Sequence, residues 1–218
     1  MEYIMTHSVV QSDRLKVTEK IIKSVTAAKV LELGSAEYSY KYCSNFNTTN
    51  WISVDMAKPC DIICDLNSEK TILPFEVGTF DLIICTEVLE HLLWPQNMLK
   101  EIHRVLASNG KILISVPNIT SFTYRIAWLI GHVPSCAASA NLPPIIGSTS
   151  YEKQDGSLIG GHVVDFSKKK IVALLRYTGF KTVLLEGSGI FFHKQILPSF
   201  LVPVSIASNI ICLAEKDD

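Results

Sequence analysis

Residues 80–116, FDLIICTEVLEHLLWPQNMLKEIHRVLASNGKILISV, decide the fold. Residues 80–85 (FDLIIC) and 111–116 (KILISV) are short aliphatic, β-branched runs, which predict two buried strands. Between them Pro95 suits a first helical turn, and Met98, Leu99, Ile102, Val105 and Leu106 fall on one helical face. Asn109-Gly110 is expected to close that helix as a left-handed cap. Strand, helix and strand in this order make a βαβ unit, hence parallel strands joined by a right-handed crossover.

The same grammar extends in both directions. Residues 29–33 form an aliphatic run ending at Gly34, residues 51–54 form another ending at Asp55, and Ile62 and Ile63 make a brief third. Upstream, Leu15, Val17, Ile21, Ile22 and Val25 recur at helical steps, which predicts an amphipathic helix over 12–28 entered through Ser12 or Asp13. Downstream, Ser167 is placed to cap a helix carrying Ile171, Val172, Leu174 and Leu175 and ending at Gly179. Lys168, Lys169 and Lys170 fall in its first turn, where the helix dipole disfavours cations, so they read as a solvated face. The fold class is therefore α/β, a doubly wound, mostly parallel sheet in one domain. Residues 119–150 break the pattern. They are aromatic early, rich in Pro, Ser and Ala later, and carry no formal charge between Arg125 and Glu152, which reads as an insertion or lid over the ligand edge.

Composition removes several classes of function. The chain has 218 residues, 19% of them charged, with a formal net charge of −1, so no basic field exists to hold a polyanion and nucleic acid is not an expected partner. A hydrophobic fraction of 48% and a mean hydropathy of +0.26 fit strands buried on both faces. Cysteines 43, 60, 64, 85, 136 and 212 are scattered without metal or redox spacing, which suits structural thiols in a reducing, cytoplasmic setting. The first residues carry Glu2, Asp13 and Arg14 and lack the apolar core of a signal peptide. Residues 195–214 are charge-free but interrupted by Pro198, Pro203, Ser205, Ser208 and Asn209, so they read as buried strand and turn, with no stable membrane insertion.

Ligands of such sheets bind beyond the carboxyl ends of the strands. Three acids stand at successive strand ends: Glu32 in VLELG, Asp55 in ISVDM and Asp65 in CDL. A carboxylate at the second can accept both hydroxyls of a ribose, and one at the third can accept from an adenine amino group. Together they describe an adenosine pocket; a helix cap or turn is the alternative reading of Asp55 and Asp65.

Residues 73–92 (LPFEVGTFDLIICTEVLEHL), 103–118 (HRVLASNGKILISVPN) and 160–180 (GGHVVDFSKKKIVALLRYTGF) resemble the class I S-adenosylmethionine (SAM)-dependent methyltransferases, specifically their broad small-molecule group. The resemblance spans residues 30–180. It implies a Rossmann-like seven-stranded sheet with an antiparallel last strand, helices on both faces, and SAM as cofactor with S-adenosylhomocysteine (SAH) as product. Carried over by position, Glu32, Gly34 and Ala36 would frame the methionine end, Asp55 and Met56 the ribose, and Asp65 and Leu66 the adenine. Thr86, Glu87 and Val88 would line the floor after the fourth strand. The glycines usual after the first acid are Ala36 and Tyr38 here, so either the turn is reshaped, with Tyr38 or Tyr40 packed beside the cofactor, which is the favoured reading, or the pocket has decayed.

Methyl transfer from a sulfonium is an in-line displacement, and a general base is needed only when the acceptor arrives protonated. His91, in EVLEHL, lies near the ligand edge. His162, in GGHVVDF, matches a histidine position of the resembled group. Both are candidate bases, with a hydrogen-bonded structural histidine as the alternative reading, and Glu87 and Glu90 are placed to orient His91 or cap a helix. Histidines 7, 103, 132 and 193 show no metal-binding spacing, and no metal is expected. The expected partner is a small-molecule acceptor, hydrophobic or lipid- or sugar-linked, with a homodimer left open. A nicotinamide oxidoreductase would need glycines that residues 34–39 lack; a non-catalytic methyltransferase-fold partner is the other alternative.

Overall fold

The computed structural model describes residues 2–35, 39–40, 50–133, 151–152, 158–159, 161–192 and 195–217. Seven strands form the central sheet: β1 (Lys29–Leu33), β2 (Asn50–Asp55), β3 (Ile62–Ile63), β4 (Phe80–Thr86), β5 (Leu106–Pro117), β6 (Phe180–Gly187) and β7 (Asn209–Lys216). Their spatial order is β3-β2-β1-β4-β5-β7-β6. The first five run parallel. The last, β7, enters between β5 and β6 antiparallel to both, so the expected fold class holds, antiparallel last strand included.

Side chains alternate across the sheet because a strand has a period of two. Leu31, Leu33, Ile83, Cys85, Ile112, Ile114, Ile210 and Cys212 face one side. They are covered by Met98, Leu99, Ile102 and Val105 of α2 (Pro95–Val105) and by Ile171 and Leu175 of α4 (Lys168–Tyr177). Val30, Leu82, Ile84, Leu113, Ile211 and Leu213 face the other side, against Val17, Ile21 and Ile22 of α1 (Glu2–Ser24). Both faces are thus apolar, which is why these strands read as continuous aliphatic runs. In α4 the Ser167 hydroxyl accepts from the Lys170 amide and Gly179 takes φ +84° after the last turn, as the capping residues predict. Lys168, Lys169 and Lys170 are exposed.

Two helix boundaries differ from expectation. Helix α1 begins at Glu2 rather than at Ser12 or Asp13, because residues 2–11 contain neither Gly nor Pro to break the backbone ladder. Asp13 sits inside the helix and caps nothing; its carboxylate accepts from the Gly189 amide. Helix α2 stops at Val105, where Leu106 turns to extended backbone (φ −76°, ψ 137°) and pairs with Phe80. Asn109-Gly110 therefore lies in β5 and is no helix cap. Gly110 is required for another reason: a Cβ there would lie 2.7 Å from Cγ of Leu106. Within 119–150, residues 122–129 form helix α3 (Phe122–Leu129), and residues 134–150 lie outside the described residues.

Residues 195–214 fold as a strand (Gln195–Leu197), a 3-10 turn (Ser199–Leu201) and most of β7. β7 is buried as expected, but Phe200 and Leu201 are exposed. No helix among the described residues is long and apolar enough to cross a membrane.

Candidate functional site

The strand order reverses between β1 and β4, and the crevice beyond their carboxyl ends is where such sheets bind ligands. Gly34 leaves β1 with φ +74° and donates its amide to the Val54 carbonyl at 2.9 Å. A Cβ on Gly34 would meet Cγ2 of Val88 at 2.3 Å, so the exits of β1 and β4 touch through this one glycine. Ser35 follows, 5% exposed, its hydroxyl without a hydrogen-bond partner among the described residues.

Glu32, 2% exposed, shapes the next stretch. Its carboxylate accepts from the Ser39 hydroxyl (2.6 Å), the Tyr40 amide (2.8 Å) and the Trp51 indole N–H (2.9 Å). These charge-assisted bonds tie Ser39, Tyr40 and Trp51 to the end of β1 through Glu32. Ala36 and Tyr38 lie outside the described residues. Tyr40 is buried in the α1-side core, and burial raises its phenol pKa despite the nearby Arg14 charge.

Asp55 and Asp65 end β2 and follow β3. Each turns the chain: Asp55 Oδ1 accepts from the Ala57 amide at 3.2 Å, and Asp65 Oδ1 from the Asn67 amide at 2.8 Å. The turn reading of both acids is correct, and it is compatible with a ligand role because a carboxylate has more than one acceptor site. Leu66 is buried, whereas Met56 is half exposed. Asn67 then accepts from the Leu93 amide at 2.7 Å, which ties the exit of β3 to that of β4.

At the exit of β4, Thr86 ends the strand and Glu87 takes φ +55°. The Glu87 carboxylate accepts from the Ser115 hydroxyl (2.8 Å) and the Asn209 amide group (3.2 Å) and lies 3.5 Å from Nη1 of Arg14. It thereby fastens β5, β7 and α1 to this corner, and it neither orients His91 nor caps a helix. The 3-10 turn Leu89–His91 follows. Glu90 lies inside that turn, 1% exposed, with neither carboxylate oxygen hydrogen-bonded among the described residues. Burial pushes its pKa well above the usual carboxylate range, and the neighbouring Glu87 charge adds to the shift.

The Glu90 carbonyl accepts from the amides of Val163 and Val164 at 2.7 and 3.1 Å. This pairing carries His162 to His91, with ring centroids 5.0 Å apart and edge-on, and His91 Nε2 lies 3.9 Å from Glu90 Oε1. One donor atom from each of Glu90, His91 and His162 lies within 4.8 Å of the others. Sequence reasoning singled out both histidines but not their meeting, nor the isolation of the Glu90 carboxylate; the adjacent Glu-His pair was the only local sign. Helix α3 buries none of its residues, and Trp128, Leu129 and Ile130 are 51%, 85% and 67% exposed.

Residues 24–114 match the family described as a methyltransferase domain. Over 171 residues the chain is 25% identical to an uncharacterised protein of Methanocaldococcus jannaschii, covering 76% of this chain and 70% of that one. Among solved structures, a SAM-dependent methyltransferase from Archaeoglobus fulgidus shares the fold at TM-score 0.61 and 14% identity, over 99% of this chain and all (100%) of that one. The 1,6-didemethyltoxoflavin-N1-methyltransferase of Burkholderia thailandensis, with 1,6-didemethyltoxoflavin and SAH bound, is similar at TM-score 0.54 and 16% identity, over 100% of this chain and 89% of that one.

Proposed function

We propose, from the premise that this chain is a class I SAM-dependent methyltransferase by its matched domain and its fold, that it methylates a small, weakly charged acceptor at the open sheet edge. The observation that carries the reading is the convergence of Gly34, Asp55 and Asp65 on one edge, with the buried Ser35 hydroxyl, which has no hydrogen-bond partner among the described residues, beside Gly34.

These residues fit the cofactor. Asp55 would accept from the ribose hydroxyls with Met56 beside it, and Asp65 from the adenine amino group with Leu66 packed below. Gly34, Ser35 and Ala36 would receive the methionine end, with Glu32 acting indirectly by holding Ser39 and Tyr40, and Thr86, Glu87 and Val88 would form the floor. SAM supplies a methyl group on a positively charged sulfur, already activated for transfer. What remains for the protein is to align the acceptor, exclude water and remove a proton where the acceptor carries one.

His91 and His162 stand on the acceptor side, where a neutral imidazole can take that proton. The exposed apolar residues of α3 would suit a hydrophobic acceptor if the lid expected over 119–150 closes on it.

Calorimetric titration of the full chain with SAH tests the reading. Micromolar binding, weakened at least tenfold in Asp55→Ala, is expected, since a buried ligand loses its charge-assisted hydrogen bonds. Binding undiminished in the variant refutes the assignment of Asp55. No binding by the intact chain favours a methyltransferase-fold partner without activity.

A further inference from the structure

We propose that Glu90, His91 and His162 form a binding site for a divalent transition-metal ion on the acceptor side of the sheet edge. Its use in catalysis rests on the methyltransferase reading; its existence does not.

The carboxyl group of Glu90, 1% exposed and with neither oxygen hydrogen-bonded among the described residues, is costly to keep inside a fold whether charged or neutral. A cation placed against it removes that cost. Two imidazoles stand within reach, and the three donor atoms fall within 4.8 Å of one another. Bonds of about 2.0–2.2 Å to a common ion require donors about 3–4 Å apart, so small side-chain rotations close the set.

The arrangement is also built from the backbone. Glu90 and His91 are adjacent in one 3-10 turn, and the amides that follow His162 are bonded to the Glu90 carbonyl. The third donor is thus delivered by main-chain pairing and does not depend on a flexible loop finding its place.

Donor chemistry selects the ion. Two nitrogen donors and one carboxylate suit Zn²⁺, Co²⁺, Mn²⁺ or Fe²⁺ better than Ca²⁺ or Mg²⁺, which prefer all-oxygen sets. Three protein ligands leave coordination positions open, as catalytic rather than structural sites do.

An acceptor hydroxyl held at an open position would be acidified by the ion. Its proton leaves to water, its oxygen lone pair forms the new bond to the methyl carbon, and the carbon–sulfur pair departs with sulfur, giving a methyl ether and SAH. In that arrangement the two imidazoles are ligands and neither serves as the base.

The test uses the untagged full chain, stripped with chelator and titrated with Co²⁺ by visible absorption and with Zn²⁺ by calorimetry. One equivalent of Co²⁺, displaced by one of Zn²⁺, is expected, with at least tenfold weaker binding in Glu90→Gln and in His162→Gln. The variants' far-UV circular dichroism serves as the folding check. Absence of saturable Co²⁺ and Zn²⁺ binding by the intact chain overturns the proposal, as does undiminished binding in both folded variants. Should a variant misfold, Mn²⁺ broadening of ring-proton resonances in the intact chain decides: broadening centred on His91 and His162 supports the site, and broadening centred elsewhere overturns it. SAH titration of the intact chain runs in parallel, so failure of the methyltransferase reading is seen separately from failure of the metal site.

Discussion

Replacing Gly34 by alanine tests the contact that joins the two halves of the ligand edge. The new Cβ would stand 2.3 Å from Cγ2 of Val88, against about 3.5–4.0 Å for an unstrained carbon pair. Gly34 also holds φ +74°, which costs an L-residue about 1–2 kcal/mol. Overpacking adds about 1–3 kcal/mol, so Gly34→Ala should lose about 2–5 kcal/mol. For a chain of this length that lowers the melting temperature on the order of 10 °C.

The two contributions separate in a double-mutant cycle. Val88→Ala alone removes two buried methyl groups and costs about 1–2 kcal/mol. In that background the nearest atom to the new Cβ is the residue-88 Cβ at 3.7 Å, an ordinary contact, and only the backbone penalty remains. Urea unfolding of the four proteins should therefore show about 1–3 kcal/mol of favourable coupling between Gly34→Ala and Val88→Ala. Additivity within about 0.5 kcal/mol would refute the claim that the exits of β1 and β4 meet here.

Two further outcomes follow from buried polar groups. Burial alone would raise the Glu101 pKa, but hydrogen bonds from Arg104 and the Leu73 amide, with the Arg104 charge, hold it below the usual range. Its contribution is therefore present above the ordinary value of 4.5 and lost as pH falls through the lowered folded value. Glu101→Gln should cost about 1–2 kcal/mol in urea unfolding at pH 7, and the difference should shrink below about pH 4. Asn118, fully buried, donates to the Ala207 carbonyl at 2.8 Å and accepts from the Thr120 amide at 3.0 Å, binding the end of β5 to the turn before β7. Asn118→Ala should cost about 2–4 kcal/mol by thermal unfolding, and a loss below about 0.5 kcal/mol would mean that water replaces the side chain.

Much of the fold was legible because its signals are local. Aliphatic runs at 29–33, 80–85 and 111–116 announce strands buried on both faces, and the periodicity of Met98, Leu99, Ile102 and Val105 announces the helix between the last two. The acids at 55 and 65 were legible as an edge pair because strand ends can be read without knowing which strands are neighbours. Boundaries were less visible. The end of α2 and the role of Asn109-Gly110 depend on Leu106 pairing with Phe80, a long-range contact that outweighs a local capping preference.

The sequence by itself determined an α/β sheet, the order of its elements and the set of acids and histidines available for chemistry, because side-chain periodicity and strand-end placement are properties of short segments. Only the tertiary structure decided what those side chains do. Glu32 became the acceptor for Ser39, Tyr40 and Trp51, and Glu87 was drawn away by Arg14, Ser115 and Asn209. Glu90 was left buried beside His91 and His162. The physical reason is that partners and desolvation come from residues distant along the chain, and only the crossovers of the sheet bring them together.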